Sequence, residues 1–192
     1  MKRPFFRPSE IEDAAAQLWA KAIAAGVDDQ RVIELQDVVD FALDGYQLCL
    51  DQPLTGQVLG CTSFHERKIL VSGVLERQPG RMRFTIAHEM GHVVLHTEFM
   101  LGQFPVGQVQ LFDLPTSTVL QDQNLEWQAN AFAGAFLVPQ RLVLEAYAKR
   151  GEEFLTPPVV AEYFGVSQAC AGRRLKDLGL LTQRPPPPKL FL

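Results

Sequence analysis

The run from Arg83 to His96 reads R-F-T-I-A-H-E-M-G-H-V-V-L-H, and at its centre His88-Glu89-Met90-Gly91-His92 forms an H-E-x-x-H arrangement. No other stretch constrains the fold as much. Two histidines at i and i+4 share a face only in a helix, where they stand about one turn, or ~6 Å, apart along the axis. That spacing lets both imidazoles reach one tetrahedral Zn²⁺, while the glutamate between them can hold a water instead of the metal. The motif therefore reads as the centre of a zinc hydrolase carried on a helix.

The rest of the chain has to supply a body for that helix. Its 192 residues suit one compact domain with a small appendage, and a 47% hydrophobic content is enough for a core. A formal charge of −4 argues against a generic binder of nucleic acid or anionic membrane. The opening MKRPFFRPSE is basic but leads into no apolar region, so it is not a secretory signal, and no apolar run approaches a membrane span. Cys49, Cys61 and Cys170 are widely spaced and form no C-x-x-C pair, which predicts reduced, buried thiols. The expectation is a cytoplasmic protein with no membrane association.

Helical periodicity predicts a first helix from Ser9, where S-E-I-E resembles a capping box, to Gly26, and a second from about Arg31 to Leu43. Three short strands are predicted at Tyr46–Leu50, Val58–Phe64 and Lys68–Val74, with His65-Glu66-Arg67 turning the chain between the last two. The motif helix should run from about Arg81 to His96. Residues 97–121 read as a loop with one strand near Gln108–Phe112. Helices follow at Asp122–Leu137, Gln140–Lys149, Val159–Phe164 and Ser167–Leu178, the last two as a helix-turn-helix pair. The tail RPPPPKLFL is expected to be an extended strap. This gives an α+β fold with N-terminal helices, a small antiparallel sheet, the motif helix and a further helix bearing the third ligand. The division is residues 1–151 for that domain and 152–192 for the helix pair and tail.

A catalytic zinc site needs a third protein ligand and one open position. His65, His96, Asp122 and Glu126 are the candidates. His96 shares the motif face but stands ~12 Å of helix rise from His88, which suits a buried histidine supporting the site better than a ligand. Glu126 is the strongest choice, because Ala129 and Ala133 would let its helix approach the motif helix closely.

Taken with the later run EWQANAFAGAFLVP (Glu126 to Pro139), RFTIAHEMGHVVLH resembles the ImmA/IrrE family of bacterial zinc metallopeptidases. Val93, Gln128 and Phe136 depart from that family's pattern, and none of these removes a ligand. The resemblance implies a zincin-like fold, Zn²⁺ held by His88, His92 and Glu126, and Glu89 as the catalytic glutamate. Arg83 and Asn130 also fall on the family's motifs. Arg83, a cation where the helix dipole disfavours one, calls for an acidic partner, and Asn130 is placed to fix the Glu126 carboxylate or tie two helices together. Tyr46, His65 and Tyr163 are candidates on residue type for stabilising the oxyanion, and Lys68–Val74 is the expected edge strand for substrate pairing.

The resemblance further implies a protein substrate, a helix-turn-helix repressor of mobile-element or stress-response genes. Two other classes stand beside this endopeptidase reading. One is an anti-repressor that binds and relieves a repressor without cutting. The other is a DNA-binding regulator with a structural zinc, reading DNA through Gln168, Arg173, Arg174 and Lys176 in 167–178. Few basic residues, opposed by Asp177 and Glu162, favour a packing role for the helix pair, with Phe164, Val166, Ala169 and Leu175 as its apolar contacts.

Overall fold

The computed structural model describes residues 3–29, 31–54, 58–103 and 122–181. The strand expected near Gln108–Phe112 and the proline-rich strap lie outside these. The described elements are helices α1 (Pro8–Ala24), α2 (Leu35–Ala42), α3 (Pro79–Gln103), α4 (Gln123–Leu137), α5 (Gln140–Arg150), α6 (Pro157–Phe164) and α7 (Gln168–Asp177), with strands β1 (Gln47–Gln52), β2 (Gly60–Ser63) and β3 (Lys68–Ser72).

Local chemistry sets the helix ends. Pro8 opens α1 because its fixed φ suits a first helical position that needs no N–H donor. Glu10 then accepts from the Arg7 amide at 2.7 Å. The acidic residue of the cap is thus Glu10, not Glu12, and Ser9 is inside the helix. α2 is shorter than the periodicity predicts, since Ile33 is buried in the segment before it and not on a helical face. α3 continues past His96 through Thr97–Gln103, where a loop is expected. No breaker occurs before Gly102, Thr97 Oγ1 donates back to the Val93 carbonyl at 2.6 Å, and Met100 is buried.

The sheet corrects the expectation of an antiparallel one. Its order is β1-β3-β2, with β2 and β3 antiparallel but β1 parallel to β3. β1 and β2 flank β3, which the hairpin through residues 64–67 returns into the gap between them. β3 is therefore the central strand, with Ile69 and Val71 buried, and β2 is an edge.

α3 and α4 lie against each other at the heart of the molecule. α1 packs on α4, where Trp19 meets Phe136 with ring centroids 5.4 Å apart, and Phe132 stacks on Phe136. A Cβ on Gly91 would stand 3.1 Å from both Cα and O of Ala129, so the glycine of the motif sets how closely the two helices meet. α6 and α7 form the expected helix pair, turned by Gly165 at φ 64° and capped by Ser167, whose Oγ accepts from the Cys170 amide at 3.1 Å. The buried face of α7 is Ala171, Arg174 and Leu175, while Ala169 is exposed. No described helix is long and apolar enough to cross a membrane.

Candidate metal centre

His88 and His92 project from one face of α3 toward Glu126, which enters from the first turn of α4. The three donor groups form a nearly equilateral triangle. His88 Nε2 and His92 Nε2 are 3.1 Å apart, His88 Nε2 is 3.2 Å from Glu126 Oε2, and His92 Nε2 is 3.3 Å from Glu126 Oε1. Ligands ~2.0–2.1 Å from a tetrahedral zinc stand about 3.3 Å from one another, so this triangle fits one face of such a tetrahedron and leaves the fourth vertex open. Among the described residues these three make up the group able to hold a metal ion.

The outer ring nitrogens are also engaged. His88 Nδ1 lies 3.1 Å from Asn130 Oδ1, and since that oxygen only accepts, Nδ1 carries a proton, so Nε2 can offer a metal its lone pair or, with none bound, donate a second proton to Glu126. Asn130 thus steadies a histidine and not the Glu126 carboxylate. His92 Nδ1 lies 3.0 Å from His96 Nδ1, and His96 is almost wholly buried at 1% exposure. Burial opposes a charge on His88, but the Glu126 hydrogen bond and the Glu89 and Glu126 charges outweigh it and hold its pKa above the ordinary value. Burial likewise would raise Glu126, yet the contacts with His88 and His92 prevail and pull it down to about 2. His96 is pushed down to about 4 by burial and then by His92, so its ring is neutral.

Glu89 sits beside this triangle and is buried. Its Oε2 accepts from the Thr62 hydroxyl at 2.8 Å. Its Oε1 lies over Gly60, where a Cβ would come within 2.9 Å. Neither Thr62 nor Gly60 is a candidate from sequence. β2 brings them here, and a short strand gives no sign of which helix it will face.

Several sequence candidates fall elsewhere. Asp122 caps α4, accepting from the Asn124 amide at 2.9 Å and pairing with Arg3. His65 is in the β2–β3 turn, outside the donor cluster. Tyr46 approaches Thr97 toward the far end of α3. Tyr163 packs edge-on to Phe154 and beneath the guanidinium groups of Arg31 and Arg150. Arg83 finds a backbone carbonyl, donating to Ile33 O at 3.1 Å, with the Glu34 charge as a more distant influence. Arg174 is buried, donating to Val138 O at 2.9 Å and pairing with Glu12 at 2.6 Å, so it cannot reach out to DNA. Arg173 is turned onto Asp177 at 2.9 Å.

The expected edge strand is also corrected. β3 is paired on both sides, so it cannot accept another strand. β2 can. Ser72 donates to Leu59 O at 2.9 Å, and alternation along the antiparallel register then turns the amides and carbonyls of Gly60 and Thr62 outward. Among the described residues no strand pairs with that side. A groove of about 420 Å³ opens beside Asn130, lined by Phe84 of α3, Trp127 and Ala131 of α4, and Cys170 and Arg173 of α7.

Comparison with known proteins agrees with this architecture. No curated protein matches the chain. Among solved structures, a transcriptional regulator from Mycobacterium tuberculosis is similar, with a TM-score of 0.59 and 23% identity over 94% of this chain. The chain spans about half of that protein, 50% of its length, and the likeness is one of fold. Residues 61–176, which hold all of β2 but Gly60, together with Glu89 and all three donors, match the peptidase M78 pattern, described as an IrrE N-terminal-like domain. The chain belongs to the peptidase M78 family, with an IrrE N-terminal-like domain of zincin-like fold.

Proposed function

We propose that this protein is a zinc-dependent endopeptidase that cleaves a specific protein substrate, a helix-turn-helix transcriptional repressor. The observation that carries the reading is the donor triangle of His88, His92 and Glu126 with the Glu89 carboxylate set beside it. A structural zinc site would use up all four positions and would need no such carboxylate. Bound zinc supplies Lewis acidity that polarises a carbonyl and makes water a competent nucleophile near neutral pH.

The chain's own residues supply the remaining steps. Glu89 accepts the proton of the attacking water and returns it to the leaving amine. The Thr62 hydroxyl fixes one carboxylate oxygen, so the base is oriented before substrate arrives. The outward amides and carbonyls of Gly60 and Thr62 would pair with an extended substrate backbone beside Glu89. The repressor as substrate rests on what the family resemblance implies.

The test is metal analysis and mass spectrometry of candidate repressors incubated with wild type, Glu89→Gln and His92→Ala. Wild type should bind one zinc and produce a cut. Glu89→Gln should keep the zinc and lose the cut, and His92→Ala should lose both. Cleavage retained by the glutamine variant would overturn the assignment of the base. Stable complex formation with no cut by any form would replace the peptidase with an anti-repressor.

A further inference from the structure

The chain carries a directional set of polar contacts that begins at the backbone of residues 4–6 and ends on His92. Gln128 is fully buried at the centre of it. Its Oε1 accepts from the Phe6 amide at 3.2 Å, and its Nε2 donates to the Pro4 carbonyl at 3.4 Å. An amide N–H can only donate and a carbonyl can only accept, so these two backbone groups fix which way the Gln128 side chain faces. On its inner side Gln128 acts on His96, whose Nε2 is buried and has no hydrogen-bond partner within 3.5 Å. His96 Nδ1 in turn lies 3.0 Å from His92 Nδ1.

The tautomers then follow one from another. For His92 to offer Nε2 to a metal, its Nδ1 must carry the proton and donate it to His96 Nδ1. His96 Nδ1 must therefore be bare, which places the His96 proton on Nε2, beside Gln128. His92 and His96 constrain each other directly, and Gln128, the polar side chain acting on the His96 side, is itself held by main chain 122–124 residues away in sequence.

We infer that Gln128 and His96 are positioning residues for the metal, and that the segment Pro4–Phe6, through Gln128, locks His92 in its metal-binding tautomer and ring orientation. The inference rests on the metal site proposed above. It goes beyond that reading by assigning the N-terminal segment a part in metal affinity, and by giving Gln128, one of the departures from the family pattern, a specific use.

The experiment measures zinc dissociation constants of the full-length protein by competition with a chromophoric chelator, together with the visible spectrum of the Co²⁺-substituted protein. The variants are Gln128→Met, which keeps the volume and removes both hydrogen bonds, His96→Leu, and His96→Gln, which restores an acceptor for His92 Nδ1. Circular dichroism and thermal unfolding at saturating zinc check that each variant is folded. Gln128→Met and His96→Leu should bind zinc about 10–100-fold more weakly, the usual consequence of losing an outer partner of a ligating histidine. Their Co²⁺ bands should shift, and His96→Gln should recover most of the affinity. Unchanged affinity and spectrum in folded Gln128→Met would overturn the inference and leave the metal site standing. Failure of wild type to bind zinc would overturn the metal site itself and this inference with it. If Gln128→Met does not fold, the His96→Leu and His96→Gln pair decides, and equal affinity in the two overturns the inference.

Discussion

At Gly91 the motif needs a residue without a side chain, for a reason found on another helix. A methyl there would meet the Cα and carbonyl of Ala129 at 3.1 Å and Phe132 Cβ at 3.2 Å, and backbone atoms have little room to retreat. Gly91→Ala should push α4 away from α3, costing about 1–3 kcal/mol of stability. Glu126 rides on α4, so zinc affinity should fall as well. Chemical denaturation with and without zinc reads both effects, and a stability unchanged by the substitution would show that the helices are free to separate. From sequence alone, Gly91 is merely an unfavourable residue inside a helix. His88, Glu89, His92 and Glu126 were legible because their chemistry needs a spacing or a family motif that the chain displays. Thr62 and Gln128 were not, because what gives each its meaning lies 27 and 122 residues away and carries no pattern of its own.

Helices were the most readable elements and the sheet the least. Periodicity and stop signals placed all seven described helices to within a few residues, apart from the late start of α2 and the extension of α3. The parallel pairing of β1 and β3 depends on where a connection crosses, and strands of four to six residues do not encode that. The helix pair shows how a basic residue can mislead at this scale. Arg174 looks available for nucleic acid on a helical wheel, yet it braces α7 to the end of α4 and to Glu12 of α1. Arg174→Ala should therefore destabilise the protein by about 1.5–3 kcal/mol, the range for hydrogen bonds to charged groups. Arg173→Ala, which loses an exposed i,i+4 pair, should cost under ~0.5 kcal/mol. Equal midpoints for the two variants in urea would contradict this bracing role.

For the molecule as a whole, the metal-free site sets an uneven response to pH. His88 has a folded pKa above its ordinary 6.5, so its contribution is complete below 6.5 and is lost as pH rises through the higher folded value. His96 is depressed from 6.5 to about 4, so its contribution is present above 6.5 and is lost as pH falls through that interval. Glu126 follows at lower pH, losing its contribution between its ordinary 4.5 and about 2. Metal-free protein should be most stable near pH 6.5, measured by urea unfolding across pH, and a profile flat from 4 to 8 would contradict these assignments. The Arg174–Glu12 brace carries a different consequence, one of timing. It joins residues 162 positions apart. During synthesis α1 must wait for nearly the whole of the described chain to emerge before this partner exists, so Glu12 lacks Arg174 on every shorter nascent chain. The last described helix is the one that fastens the first.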